Sequence, residues 1–334
     1  MQELEALKGR GLLIHHWDTD GICSARLLLP CLAELEVDTM TPALGNYFLT
    51  GEELEAGRGY DFVVIADMSL PEDNIRHLAR SAKVLIFDHH LGRVIPGVFH
   101  HNPVIRGGNP DRHPSASWIV NEYLGQPVNL YALLGAVGDH EHRIRDNDLV
   151  YPQIEDFCQK HRLTFHHLMD MVHLLDANYK IGDRKAVERA PHQLLAMDGP
   201  RDILDHGEWN RSRKKLDREM ERLLGQPVEQ VGDTMLLKMN TPYNLISAVT
   251  RRLAWDSGRD TVVVNTGFFD REDQIYVRST RGNLQSLIQR GKERGYRCGG
   301  KKEVLGAILP RAETGDFVAE ILAFLNENHS GGKT

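Results

Sequence analysis

Asp88-His89-His90 follows directly on a short apolar run, Val84-Leu85-Ile86-Phe87, and two other stretches repeat that arrangement. Leu12-Leu13-Ile14 leads into His15-His16-Trp17-Asp18-Thr19-Asp20-Gly21, and Val63-Val64-Ile65-Ala66 leads into Asp67. A further carboxylate, Asp139, closes Gly135-Ala136-Val137-Gly138-Asp139, where glycines allow close backbone approach. A lone pair of aspartates such as Asp18 and Asp20 is usually solvated or capping. Joined to Asp67, Asp88 and Asp139 in similar context, the pair reads as part of a site. Hard carboxylate oxygens mixed with imidazole suit Mn²⁺, Mg²⁺ or Zn²⁺ better than a thiolate site would. The chemistry this predicts is metal-dependent hydrolysis of phosphate esters. Such an ester is anionic and repels hydroxide, so catalysis needs charge neutralisation and a nucleophile available at neutral pH; two cations supply both.

These residues need elements to hold them. Residues 10–180 alternate short apolar β runs with helical periodicity, the pattern of a parallel α/β sheet. Three buried-type strands ending in carboxylate or imidazole predict a sheet that delivers ligands to one rim, at the carboxyl ends of its strands. The spacing predicts helices over 21–35 with a break at Pro30, over 71–81, over 115–124 with Ser115 as cap, and over 129–137. Residues 183–230 read as a helical linker of two amphipathic helices separated by Asp198-Gly199-Pro200. In the second, Trp209, Leu216, Met220, Leu223 and Leu224 share one face. A second α/β module follows, with strands over 234–238, 261–266, 274–278 and 304–309, a helix from Asn283, a turn at Gly299-Gly300 and a closing helix from Thr314. The tail 330–334 reads as mobile.

The chain has 334 residues, enough for two domains, and its 41% apolar and 26% charged content is that of a soluble globular protein. No stretch reaches the roughly 20 apolar residues of a membrane span, and the opening residues are charged rather than signal-like. Cys23, Cys31, Cys158 and Cys298 form no paired motif, which predicts a reducing cytoplasm and excludes a thiolate metal site; Cys23 reads as a small core filler. The net charge of −7 argues against non-specific coating of long nucleic acid. It leaves room for an enzyme acting on nucleotides or oligonucleotides, since basic residues cluster at 211–215 and 278–302.

These motifs resemble the DHH phosphoesterase superfamily, which contains RecJ exonucleases, nanoRNases, cyclic-dinucleotide phosphodiesterases and manganese pyrophosphatases. The matching residues are His16-x-Asp18-x-Asp20-Gly21-x-x-Ser24-Ala25, Asp67, Asp88-His89-His90 and Gly138-Asp139. Ser115-Ala116-Ser117 and the segment 175–182 extend the likeness. The second module resembles the DHHA1 domain: Tyr276-Val277-Arg278-Ser279 looks like its substrate-facing strand, and Gly299-Gly300 with Gly306-Ala307 like its glycine-rich turn. Two departures stand out. Lys301-Lys302 occupies the place where many relatives have histidine, and Ile14 the place where some have a metal-binding histidine.

The resemblance implies a catalytic domain over 1–182, the helical linker over 183–230, a smaller substrate-binding domain over 231–329, and a cleft between the domains. It implies two cations, most often Mn²⁺, with Mg²⁺ the alternative. Asp20, Asp67, His89 and Asp139 would hold one, and Asp18, Asp67 and His16 the other. Whether His15 or His16 is the ligand stays open at this level. Asp88 would orient a histidine, His90 would face the phosphate or leaving oxygen, and Arg278, Gly299, Gly300 and Lys301 would hold a second phosphate. The implied activity is a phosphodiesterase of exonuclease or nanoRNase type on single-stranded or short nucleic acid. The alternatives are a nucleotide phosphatase or a cyclic or linear dinucleotide phosphodiesterase, and a non-catalytic replication or repair scaffold. A homodimer is compatible with all of them. Outside the site, Ser212-Arg213-Lys214-Lys215 spells a signature of the pyrophosphatase branch but reads here as a solvated helix face. His140, His142, His166, His167 and His173 read as outer or surface histidines.

Overall fold

The computed structural model describes residues 1–280 and 282–330, with side chains as far as 327. The expectation for the tail falls mainly on 331–334, outside the described residues. The chain forms two compact units, residues 1–179 with 183–213, and residues 214–334 with 180–182. The helical segment expected over 183–230 contributes to both.

In the first unit, strands β1 (Arg10–His15), β2 (Glu36–Met40), β3 (Phe62–Ala66), β4 (Lys83–Phe87) and β5 (Phe99–His101) form an all-parallel sheet in the order β2-β1-β3-β4-β5. The helices are α1 (Gln2–Glu5), α2 (Thr19–Leu28), α3 (Gly51–Ala56), α4 (Glu72–Leu78), α5 (Ala116–Tyr123), α6 (Leu130–His140), α7 (Tyr151–His161), α8 (Phe165–Lys180), α9 (Arg184–Leu195), α10 (Pro200–Leu204) and α11 (Gly207–Leu224), the last running into the second unit.

β3 is buried along its whole length, and β1 and β4 along all but their first residue, as expected of parallel strands covered on both faces. Leu13, Val64, Leu85 and Phe87 pack on one side, and Leu12, Ile14, Ile65 and Ile86 on the other. A separate helical core gathers Leu133, Leu134, Val137, Leu168, Leu175 and Trp209.

Local chemistry sets where the helices start. Asp18 caps α2 by accepting from the Gly21 amide, Ser115 Oγ accepts from Trp118 at the start of α5, and Asn129 accepts from Tyr131 and Ala132 at the start of α6. Pro30 ends α2 as expected, leaving a 3₁₀ turn over Leu29–Leu32.

In the second unit, β6 (Glu229–Val231), β7 (Thr234–Met239), β8 (Thr261–Asn265), β9 (Glu272–Arg278), β10 (Arg297–Lys301) and β11 (Val304–Pro310) form a mixed sheet in the order β10-β11-β9-β8-β7-β6, with helices α12 (Ile246–Ser257), α13 (Gln285–Glu293) and α14 (Thr314–Ser330). Only β7 and β8 pair in parallel. Ile275, Val277, Leu305 and Leu309 pack with Leu287, Phe317 and Ile321 of α13 and α14. α12 packs against β8 and β9.

One expectation is corrected here. Gly299 and Gly300 lie inside edge strand β10, opposite Gly306 and Leu305, and the chain reverses at Lys302-Glu303 instead. Gly300 has φ 148°, and a Cβ there would stand 1.9 Å from the Val304 carbonyl oxygen. Gly300 permits this close approach of the paired strand, whereas a Cβ at Gly299 would meet nothing.

Candidate metal centre

The register of the parallel sheet continues one residue past the strand ends. His16 N donates to Ala66 O at 3.2 Å, Asp67 N to Phe87 O at 2.9 Å and Asp88 N to His101 O at 3.2 Å. His16, Asp67 and Asp88 therefore stand side by side on adjoining strands. The order β2-β1-β3 places them where the sheet reverses its winding, between β1 and β3, which is where α/β sheets open a crevice.

Backbone conformation then aims the side chains. Asp67 takes φ 59°, a left-handed value that a non-glycine residue adopts at a cost of about 1–2 kcal/mol. Its carboxylate comes within 3.6 Å of His16 Nδ1, 3.5 Å of His89 Nε2 and 3.9 Å of His90 Nδ1. Asp20, in the first turn of α2, is held by the start of α5: Ala116 N donates to Oδ2 at 2.6 Å and Ser117 N to Oδ1 at 2.9 Å. Asp139, near the end of α6, reaches His89 Nε2 at 3.1 Å.

Three groups of donor atoms result, each spanning no more than 4.8 Å: His16, Asp18 and Asp67; Asp20, His89 and Asp139; and Asp67, His89 and His90. Asp67 and His89 each belong to two groups. All six residues expected as metal ligands are thus brought together, with His90 beside them. His15 and His16 are placed differently. His15 is fully buried with its Nδ1 against His16 O, and burial pushes its pKa down to about 4. His15 belongs to none of the donor groups found among the described residues.

The electrostatics are those of a charge-loaded pocket. Burial, followed by repulsion from Asp20 and Asp18, drives both Asp67 and Asp139 well above the ordinary carboxylate range. Burial opposes ionisation of Asp18 too, but the charge and proximity of His16 and the Gly21 amide overcome it, and its pKa falls. Asp88 is likewise buried, and its hydrogen bond at 2.7 Å to His90 Nδ1 keeps it low while lifting His90 against that imidazole's own burial. His16 Nδ1 and Nε2, Asp67 Oδ1 and His89 Nε2 are buried without a hydrogen bond, with His16 Nδ1 2.8 Å from Asp18 and His89 Nε2 3.1 Å from Asp139 as ion-pair contacts. Leaving such atoms unpaired costs about 1–3 kcal/mol each, and a bound cation would satisfy them. Hard carboxylate oxygens with imidazole nitrogens fit Mn²⁺, Mg²⁺ or Zn²⁺.

Two supporting residues escaped the sequence reading. Asp176 on α8 accepts from Thr19 N at 3.1 Å and Thr19 Oγ1 at 2.8 Å, anchoring the turn that carries Asp18 and Asp20. Its signal was a carboxylate on the face shared by Val172 and Tyr179. Asn102, next to Asp88 by register, donates to His90 O at 2.9 Å and ties the Asp88-His89-His90 loop to the sheet. No sequence signal marked it.

Among the side histidines, His140 Nε2 meets Pro114 O, and exposed His166 lies 3.5 Å from Asp170, which also pairs with Arg213. Of the stretch read as a solvated face, Ser212 is buried and Arg213 is half-buried, while Lys214 and Lys215 are exposed. Arg278, Gly299, Gly300 and Lys301 form a group of their own in the second unit, where Arg278 pairs with Val304 and Val304 with Lys301 across three strands.

No family model matches the chain. The retinal-specific phospholipid-transporting ATPase ABCA4 of Mus musculus is 27% identical over 155 residues, 45% of this chain, and the chain spans only 6% of that protein's length. Solved structures give a broader likeness. Exonuclease RecJ bound to manganese superposes with a TM-score of 0.69 at 20% identity, covering 97% of this chain and 92% of that one. A DHH domain from a protein described as belonging to a family of ribosomal proteins gives 0.66 at 15% identity, covering 94% and 87%. A pGpG-specific phosphodiesterase from Vibrio cholerae gives 0.55 at 15% identity, covering 96% and 99%. The chain has the fold of RecJ and DHH-domain proteins, a parallel-sheet α/β unit followed by a second α/β unit.

Proposed function

We propose that this protein is a metal-dependent phosphoesterase of the DHH type that hydrolyses phosphodiester bonds in single-stranded or short oligonucleotides. The observation that carries the reading is the shared donor set: Asp67 and His89 each serve two groups of ligand atoms, within a cluster of buried polar atoms that lack hydrogen bonds. One group would hold a cation through His16, Asp18 and Asp67, and the other through Asp20, His89 and Asp139 with Asp67 shared. Mn²⁺ is the assigned ion and Mg²⁺ the alternative. Bound cations would neutralise the phosphate and supply a nucleophile at neutral pH.

The protein's own groups do the rest. Burial and the charges of Asp20 and Asp18 disfavour ionisation of Asp67 and Asp139, and bound cations would offset both effects. Asp88 accepts from His90 Nδ1 and leaves Nε2 to face the phosphate or the leaving oxygen. Asn102 holds that loop in register. Arg278 and Lys301, with the close backbone of Gly299 and Gly300, would bind a phosphate other than the one being cleaved.

A linear dinucleotide is the second reading, supported by the full-length likeness to the pGpG-specific phosphodiesterase. The unpaired cysteines support a reducing compartment, and no helix among the described residues is long and apolar enough to cross a membrane.

The test is product analysis with Mn²⁺ across labelled single-stranded DNA, RNA of two to about twenty nucleotides, 3′-phosphoadenosine 5′-phosphate and cyclic dinucleotides. Mononucleotide release from the oligomers supports the main reading, and turnover confined to dinucleotides selects the second. No turnover of any substrate with either cation sinks both and leaves the scaffold role.

A further inference from the structure

Three of the four tryptophans, Trp17, Trp118 and Trp209, are buried, whereas Trp255 on α12 is 63% exposed. Two guanidiniums lie near its ring. The guanidinium carbon of Arg251, one helical turn earlier, lies 5.5 Å from its ring centroid, and that of Arg278 on β9 lies at the same distance. Both distances fall near the outer limit of cation–π contact, about 6 Å. With most of its surface accessible, the indole keeps room for another planar group. Arg278 is also one of the residues assigned above to a phosphate, and Lys301 shares its face of the sheet. An indole that served only the core would be covered; this one is exposed, with two guanidiniums within 5.5 Å of its ring centroid. It matches a flat π-system linked to an anion.

We infer that Trp255, with Arg251 and Arg278, forms a platform on which one nucleobase of the substrate stacks while the guanidiniums hold its flanking phosphate. The platform would tolerate any base, since every base presents a π-face. It rests on the phosphoesterase reading and deepens it: the second unit would grip the substrate through a base as well as through phosphate.

The test compares oligothymidylate of five residues with an abasic oligomer of equal length and charge, using the full chain with Mn²⁺. Trp255→Ala should raise KM for oligothymidylate by roughly 5- to 100-fold, the usual range for loss of one stacked base, and leave KM for the abasic oligomer unchanged. Trp255→Phe should restore most of the difference, and bis(p-nitrophenyl) phosphate should be cleaved equally by all three proteins. Because the other tryptophans are buried, acrylamide quenching reads Trp255, and oligothymidylate should protect it where the abasic oligomer does not. Equal effects of Trp255→Ala on both oligomers, or none, would overturn the inference while leaving the hydrolytic reading intact. A tryptophan signal that changes on dilution without oligonucleotide would also overturn it, by assigning the surface to a second copy of the chain. Fluorescence anisotropy separates the two readings: base-dependent binding without hydrolysis would keep the platform and remove the phosphoesterase.

Discussion

Gly135 on α6 approaches Asp20 so closely that a Cβ there would stand 2.1 Å from Asp20 Oδ1 and 2.0 Å from Ser117 Oγ. The backbone of α6 thus forms one wall of the pocket, and Asp20 sits between it and the amides at the start of α5. Helix packing sets the position of a carboxylate assigned to the metal.

Gly135→Ala should therefore damage the site through geometry alone. Asp20 and Ser117 are buried and have no room to retreat, so the substitution should cost about 1–3 kcal/mol, as overpacking does. The expected outcome is a melting temperature lower by several degrees and a weaker Mn²⁺ isotherm for one of two ions. An unchanged isotherm would show that α6 yields and that Asp20 is not held by it.

Asp67→Ala should abolish hydrolysis and reduce bound metal, because its carboxylate lies in two of the donor groups. His90→Ala should keep the metal and lose most of the rate, since Asp88 holds its ring and its proposed partner is the phosphate. Metal analysis alongside turnover checks both. Two undiminished ions in an active Asp67→Ala protein would remove Asp67 from the site, and loss of an ion in His90→Ala would make that histidine a ligand.

The repulsion around Asp67 gives a pH prediction for the metal-free protein. Burial and the neighbouring carboxylates raise the folded-state pKa of Asp67 above the unfolded value of about 4. The unfolded chain therefore ionises first, and this residue's contribution to stability falls as pH rises from about 4 toward the raised folded value. Asp67→Asn removes that penalty, and asparagine tolerates the left-handed backbone at this position. Chelated Asp67→Asn should melt higher than chelated wild type near neutral pH, with the gap closing toward pH 4. Saturating Mn²⁺ should reverse the order. Melting curves of the two proteins that differ equally at every pH would contradict the assignment.

Arg278→Ala and Lys301→Ala should each raise KM for an oligonucleotide by the equivalent of about 1–3 kcal/mol, the range for a charge-assisted hydrogen bond. A phosphate model substrate with no second phosphate should be hydrolysed at the wild-type rate. Parallel kinetics on the two substrates decide the matter. Equal losses on both would place these residues at the reacting phosphate, and no loss on either would make them solvated charges.

Much of the fold was legible because its signals are local. The apolar runs ending at Phe87, Ala66 and Ile14-His15 announce parallel strands, since a strand covered on both faces must be apolar throughout. Ser115 and Asn129 announce helix starts through side chains that satisfy nearby amides. The aspartates of the candidate site stand out at those same strand ends and at glycine-flanked positions, while the roles of its histidines are what the family resemblance implies. What the sequence left open depended on contacts between distant residues. His15 and His16 differ by which way the chain leaves β1: His15 is buried in the core, and His16 meets Asp67 from another strand. Asn102 and Asp176 act at separations of 12 and 157 residues, on the His90 carbonyl and on Thr19. Gly299-Gly300 read as a turn because glycine relaxes the backbone in either setting, and only the antiparallel pairing with β11 makes it part of a strand. Periodicity and capping determine which elements form, because their energies lie between neighbours in the chain. Which side chains converge is decided by sheet register and helix packing, whose energies lie between residues that the chain keeps far apart.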